Sequence, residues 1–174
     1  DLVLWNAGVD DDTSYAEPVE SALDLAMVVA VVSDRRKTIS SRKAMRETMS
    51  ASPLYPAWVE ASREDLRTAL AGDLPALGEV VEANALGMHA TMIASRPGIM
   101  YWMPQTVEAL HAIRDMRGEG LPVWATIDAG PNVKALTQAG SAEQVADALR
   151  ERLPGAAVSI RRSGAGVRVE EVVA

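Results

Sequence analysis

The chain is expected to fold as a mixed α+β domain, a small antiparallel sheet with several helices packed on one face. Three observations predict this. Residues 25–32 and 121–127 are apolar, β-branched runs of strand length. Helix-length segments with stop signals lie between them, and short alternating segments follow the second run.

The elements follow in order. Residues 1–7 alternate weakly and contain Trp5, which reads as a strand; Gly8, Asp10, Asp11, Asp12 and Pro18 then mark a surface excursion. Residues 25–32, with Val28, Val29, Val31 and Val32, read as a buried strand. Residues 41–50 suit a short helix, and residues 55–71 a second, stopped by Gly72. Asp73 can cap a third helix, with Pro75 tolerated in its first turn. That helix runs to about Ser95, with Leu77, Val81, Met88 and Met92 on one stripe, before Pro97 and Gly98 break it. Residues 106–117 form a fourth helix ended by Gly118 and Gly120. After the strand at 121–127, Asp128-Ala129-Gly130-Pro131-Asn132 is a tight turn and residues 133–136 continue as a strand. An amphipathic helix over 141–153 points Val145, Ala148 and Leu149 inward, and residues 157–161 and 167–172 alternate like strands paired around Gly164 and Gly166. The four tryptophans, Trp5, Trp58, Trp102 and Trp124, sit at core-like positions and are read as packing residues.

Composition narrows the function classes. The 174 residues are 48% hydrophobic and 24% charged, ordinary globular usage and enough chain for a sizeable core. No apolar run reaches the roughly 20 residues that cross a bilayer, and nothing near Asp10 to Asp12 resembles a secretory signal. The absence of cysteine excludes disulfides, thiolate nucleophiles and cysteine-held metals, and a reducing cytoplasm is the expected location. Two histidines, His89 and His111, do not make a multi-histidine metal site; a participating divalent ion would be magnesium held by carboxylates and phosphates. A net charge of −7 argues against nucleic acid or anionic membrane as a partner of the whole surface.

One segment departs from that average. Residues 35–46 contain Arg35, Arg36, Lys37, Arg42, Lys43 and Arg46 and no acid, leading from a strand into a helix that Ser40 or Ser41 can cap. Cations in a first helical turn oppose the helix dipole, and no glutamate completes a capping box. An anion bound at the helix start would reverse that sign, because free N–H groups, hydroxyls and cations would converge on it. A solvated basic face with an ordinary serine cap is the competing reading.

A second candidate is Asp128, a carboxylate at the end of a buried strand, fixed by the Gly-Pro that follows. Rigid backbone at a sheet rim suits a catalytic acid or base. An aspartate that merely bonds its own turn is the more frequent use of Asp-x-Gly. Third, Asn84 falls on the apolar stripe of its helix, where a buried amide needs partners, and His89 reads more readily as a packing histidine than as a catalyst.

Taken together, Ser33-Asp34-Arg35-Arg36-Lys37-Thr38-Ile39-Ser40-Ser41-Arg42, Ser52-Pro53-Leu54-Tyr55, Asn84-Ala85-Leu86-Gly87-Met88-His89-Ala90-Thr91 and Thr126-Ile127-Asp128-Ala129-Gly130-Pro131-Asn132 resemble the mevalonate diphosphate decarboxylases. Trp5-Asn6-Ala7-Gly8 and Ser14-Tyr15-Ala16-Glu17 are similar to the middle of that family's chain. The resemblance covers nearly the whole sequence in order and spacing. It implies membership of the GHMP kinase superfamily, two lobes around a cleft, with residues 1–22 ending the N-terminal lobe and residues 23–174 forming the C-terminal-like domain.

The resemblance further implies ATP-dependent phosphorylation of the 3-hydroxyl of mevalonate 5-diphosphate. Loss of phosphate and carbon dioxide would then give isopentenyl diphosphate, with ATP and magnesium as cofactors in the cytoplasm. It places Asp128 and Lys37 in the catalytic set. Ser40, Ser41, Arg42 and Arg36 would bind the substrate, with Asn84, His89, Gly130 and Asn132 in support and no metal held by the protein itself. The family's nucleotide loop and its arginine partner to the aspartate have no counterpart here. The chain is therefore expected to be a C-terminal half whose partner is the absent N-terminal lobe, inactive by itself as a carboxy-lyase. A homodimer is left open. Two other readings stand beside this one: a decarboxylase of mevalonate 5-phosphate, and a non-catalytic half-domain that binds a diphosphate or a partner chain.

Overall fold

A computed structural model describes residues 2–35 and 37–164. The chain opens with a two-stranded antiparallel hairpin, β1 (Leu2–Asn6) and β2 (Tyr15–Val19), in which Leu2 lies opposite Val19 and Asn6 opposite Tyr15. Residues 8–18 were expected to stay outside any strand, but the acidic triplet supplies the turn that sends the chain back. The Thr13 amide donates to Asp10 Oδ1 at 3.0 Å, and the Val9 amide donates to Thr13 Oγ1 at 3.0 Å.

Then come β3 (Leu25–Val31), α1 (Ser41–Ala51), α2 (Tyr55–Ala71), α3 (Leu74–Ile93), α4 (Pro104–Gly118), β4 (Val123–Ile127), β5 (Val133–Gln138), α5 (Ala142–Arg152) and β6 (Ala157–Arg162). The start of α4 lies two residues before the expected one, because Pro104 presets the helical φ and lacks an N–H that would go unpaired there. Helix α3 begins where Asp73 predicts, its carboxylate accepting from the Ala76 amide at 3.1 Å. The expected strand at 167–172 and Gly166 lie outside the described residues.

Strands β4, β5, β3 and β6 form, in that order, one antiparallel sheet. Its register puts Val28 opposite Ala135 and Ile160, and Ala125 opposite Ala135, so these side chains share a face. Helices α4 and α5 cover that face: Val28, Ala125, Val133, Ala135, Leu110, Ile113, Met116, Val145 and Leu149 are buried together. The opposite face carries Leu25, Met27 and Val29 of β3, Trp124 and Thr126 of β4, and Lys134 and Leu136 of β5. Among the described residues its β4 end is covered, where Leu74 and Leu77 of α3 pack on Trp124 and Leu136 with Leu2, Leu23 and Leu25 alongside.

Helix α3 runs along β4, one of the two edge strands of this sheet. A methyl group on Gly78 would come within 2.1 Å of the Trp124 indole, so only glycine admits this approach. One turn further, Glu82 is buried and accepts from the Ala125 amide at 2.8 Å, which occupies an N–H that an edge strand otherwise leaves open. The same carboxylate takes a bidentate pair of bonds from Arg117 of α4 at 2.9 and 3.1 Å. Burial pushes the Glu82 carboxyl up, but the Arg117 bonds, the Ala125 amide and the charges of Arg117 and Arg114 outweigh it and hold its pKa below the ordinary value. One acid thus ties α3, α4 and β4 together.

Trp124 is buried, Trp58 and Trp102 are half-buried, and Trp5 is 66% exposed. The core position expected for Trp5 does not hold, because among the described residues no second layer covers the side of the two-stranded ribbon that carries Val3 and Trp5. Among the described residues no helix is long and apolar enough to cross a membrane.

Candidate active site

Strand β4 delivers Asp128 to the rim of the sheet, and the turn after it is held at four points. His89 of α3 donates from Nε2 to the Asp128 carbonyl at 3.1 Å. Lys37, on the loop after β3, donates from Nζ to the Ala129 carbonyl. Thr106, in the first turn of α4, donates from Oγ1 to the Pro131 carbonyl at 2.7 Å. Asn132 Oδ1 accepts from the Val32 and Ser33 amides at 3.0 and 3.1 Å, which ties the turn to the exit of β3. Gly130 leaves room for the Lys37 contact: a Cβ there would stand 3.2 Å from Lys37 Cε, so the lysine would have to give by a few tenths of an ångström. The Asp128 side chain itself is 84% exposed and makes an ion pair with Lys134 of β5.

His89 is 1% exposed and packs against Trp102 with ring centroids 5.4 Å apart. Its Nε2 faces a carbonyl, so the neutral ring carries its proton there. Burial lowers its pKa below the ordinary 6.5, against the raising effect of the Asp128 and Ile127 carbonyls and the Asp128 charge. A folded-state pKa below the unfolded one means that the unfolded chain binds the proton more readily. The stability tied to neutral His89 is therefore complete above about pH 6.5 and is lost as pH falls through the lower folded value. His89→Asn keeps a donor and removes the titration. Chemical denaturation at pH 7.5 and 5.5 should show a smaller acid loss in the variant, and equal losses would show that His89 does not titrate with folding.

The basic segment meets this turn through Lys37. Its ammonium, besides holding Ala129, donates to Ser41 Oγ at 3.3 Å and lies 5.7 Å from the Tyr101 ring centroid. Tyr101 in turn donates to the Ile39 carbonyl at 3.0 Å. One cation therefore joins the Asp128 turn to the start of α1. Ser40 caps α1, its Oγ accepting from the Lys43 amide at 3.3 Å, and Ser41 is the first helical residue. The first turn of α1 has no acidic residue, and Arg42 is exposed there without an ion pair among the described residues. Exposed cations, hydroxyls and first-turn N–H groups together can hold an anion. Arg36 lies outside the described residues.

Asn84 does find partners, as its place on the stripe requires. Its Nδ2 donates to Ser62 Oγ at 2.7 Å, and the main-chain carbonyl of the same residue accepts from Trp58 Nε1 at 3.2 Å, so this position fastens α2 to α3. Next to it a cleft of about 420 Å³ opens between α2, α3 and the end of β4, lined by Asp65, Val81, Asn84, Met88, Thr126 and Asp128. The sequence reading overlooked Thr106, Glu82 and Lys134. Thr106 looked like an ordinary helix start, and Glu82 like one more acid on a helix. The signal for Lys134 was available, a lone cation in an apolar strand six residues after Asp128 across a tight turn.

Fold and site thus define a class: an α+β lobe with an aspartate at a strand end, linked by a lysine to a cationic, serine-capped helix start. Residues 27–170 match the family model described as the mevalonate 5-diphosphate decarboxylase C-terminal domain, and the chain belongs to that family. The phosphomevalonate decarboxylase of Haloferax volcanii is 28% identical over 149 residues, covering 83% of this chain and 46% of its own length. The crystal structure of mevalonate diphosphate decarboxylase from Staphylococcus aureus superposes with a TM-score of 0.81 at 34% identity, covering 92% of this chain and 53% of that one. The structure described as MDDEF in complex with MVAPP, AMPPCP and magnesium gives 0.80 at 33% identity, covering 91% and 54%. The chain spans about half the length of the relatives it matches.

Proposed function

We propose that this chain is the C-terminal lobe of an ATP-dependent mevalonate 5-diphosphate decarboxylase, with residues 1–22 completing the N-terminal lobe and residues 23–174 forming the lobe that carries Asp128. The observation that carries this reading is the Lys37 bridge between the Asp128 turn and the start of α1. The 3-hydroxyl and the 5-diphosphate of one short substrate must be served together, and this bridge supports reading the Asp128 turn and the start of α1 as parts of one site.

The chemistry follows from the residues. A tertiary hydroxyl is a weak nucleophile, and Asp128 accepts its proton as that oxygen takes the phosphoryl group. Ser41, Arg42 and the first-turn amides of α1 hold the diphosphate, with Ser40 fixing the helix start, and Arg36 is assigned to the same anion. Lys37 sets the distance between them, while His89, Asn132 and Gly130 fix the turn and Asn84 fixes the neighbouring helix pair. When phosphate and carbon dioxide leave, positive charge develops at C3, and Asp128, as it passes its proton to the departing phosphate, becomes a carboxylate that can stabilise that centre. ATP supplies the transferred phosphoryl group. In this reading magnesium would be carried on the phosphate oxygens of nucleotide and substrate.

The test uses the protein with both lobes, supplied with ATP and mevalonate 5-diphosphate, and follows carbon dioxide and ADP. Arg42→Met removes one charge-assisted bond and should weaken the diphosphate substrate by about 10- to 100-fold, with ATP affinity unchanged. Binding within twofold of the parent would take the diphosphate away from α1. The Haloferax relative's name favours a second reading, in which mevalonate 5-phosphate is the substrate. Comparing kcat/KM for the mono- and diphosphate decides between them.

A further inference from the structure

Lys134 has no structural task that accounts for it. The sheet register sets it opposite Val29 and Thr126, on the face that helices α4 and α5 leave open. Its neighbours in strand β5, Val133 and Ala135, are buried on the other side. The hairpin brings its ammonium back to Oδ2 of Asp128, so Asp128 has an ion-pair partner from its own sheet. With the Asp128 side chain 84% exposed, such a pair adds little to folding, about 0–1 kcal/mol. The lysine side chain is only 24% exposed, so its stem lies along the sheet and its head is delivered to one place.

Resting on the reading that Asp128 faces the hydroxyl that is phosphorylated, we propose that Lys134 is a second catalytic residue, the cation that serves the transferred phosphoryl group. An ammonium has three N–H donors, and the carboxylate occupies one. When the substrate hydroxyl gives its proton to Asp128, the carboxylate loses its charge and releases its hold on the ammonium. In the same step the hydroxyl oxygen bonds the γ-phosphorus and the bond to ADP breaks, so ADP departs with that electron pair. Negative charge then lies on phosphoryl oxygens attached to the atom that Asp128 has just deprotonated, within reach of the remaining donors. In the second step the C3–O bond breaks with its pair going to phosphate. The C1–C2 pair becomes the C2–C3 double bond as carbon dioxide leaves, and the proton on Asp128 passes to the departing phosphate. Lys134 stays with that phosphate as its charge grows, then returns to Asp128.

The experiment uses the two-lobed enzyme and compares Lys134→Met, Lys134→Gln, Lys134→Arg and Asp128→Asn. Removing a donor aimed at developing charge lowers kcat by about 10²- to 10³-fold. Both neutral variants should show that loss, with KM and calorimetric binding of mevalonate 5-diphosphate within about threefold, and Lys134→Arg should recover at least tenfold of it. Unchanged substrate binding certifies that the variants are folded. If the neutral variants turn over within threefold of the parent while Asp128→Asn is inactive, the proposal falls and the reading of Asp128 stands. If kcat falls only in proportion to lost substrate binding and arginine restores nothing, Lys134 is a structural residue and the proposal falls. Near-normal turnover in Asp128→Asn overturns the underlying reading and takes this proposal with it.

Discussion

Replacing Asp128 by asparagine in the two-lobed protein is expected to lower decarboxylation turnover by at least about two orders of magnitude, the usual loss of a general base. The substitution keeps shape and removes charge and basicity. The backbone of the turn is held by His89, Lys37, Thr106 and Asn132, none of which touches the carboxylate, so the variant should keep the parent fold. Binding of mevalonate 5-diphosphate should stay near the parent value, since the diphosphate contacts assigned to Ser41 and Arg42 are untouched. The loss should therefore appear in kcat and not in KM. Steady-state kinetics with a calorimetric substrate titration separates the two, and turnover within a few-fold of the parent would remove Asp128 from the mechanism.

The largest effect on stability is expected at Glu82. Removing one member of a buried ion pair costs about 3–5 kcal/mol, because the other charge stays behind without a partner. Arg117 keeps 27% of its side chain exposed, so water can answer part of its charge and the lower end, about 3 kcal/mol, is expected for Glu82→Ala. For a chain of this size that is a fall in Tm of about 10 °C. The Ala125 amide also loses its acceptor. The double variant Glu82→Leu with Arg117→Met should recover much of the loss, since two apolar residues leave no orphaned charge. Because the Glu82 pKa is lowered on folding, its contribution is present above about pH 4.5 and disappears as pH falls through the folded value. A single-variant loss under about 1 kcal/mol would show that the seam is held by packing alone.

Much of the sheet was readable before any coordinates because its strands are strongly marked. The runs containing Val28 and Val123 are apolar at every position the sheet buries, and Asp73 and Gly72 punctuate α2 and α3 as helix rules predict. Strand β2 was missed because its sequence, with Glu17 and Pro18, has little β preference, and only pairing with β1 makes it a strand. Trp5 was misplaced for a related reason: periodicity shows which residues share a side, and not whether anything covers that side. At the site, Asp128 and the cationic helix start stand out as residue types in unusual places. Their connection through Lys37 is a long-range contact, 92 residues from lysine to Ala129, that no local pattern reports. The same limit hid Glu82, whose partners lie 35 and 43 residues away.

The four-point hold on the turn after Asp128 divides the lobe into a part that can change in evolution and a part that cannot. The four holds come from three elements, so no single drift in α3, α4 or the loop after β3 can re-aim the aspartate without breaking a bond elsewhere. The turn serves as a surveyor's fixed mark, and the entropy of placing it is spent once, during folding, rather than at each encounter with substrate. Among the described residues, the basic loop and the start of α1 meet that mark through the flexible stem of Lys37. On the proposed reading, their length and charge could vary to suit one phosphate or two without moving the end that carries Asp128.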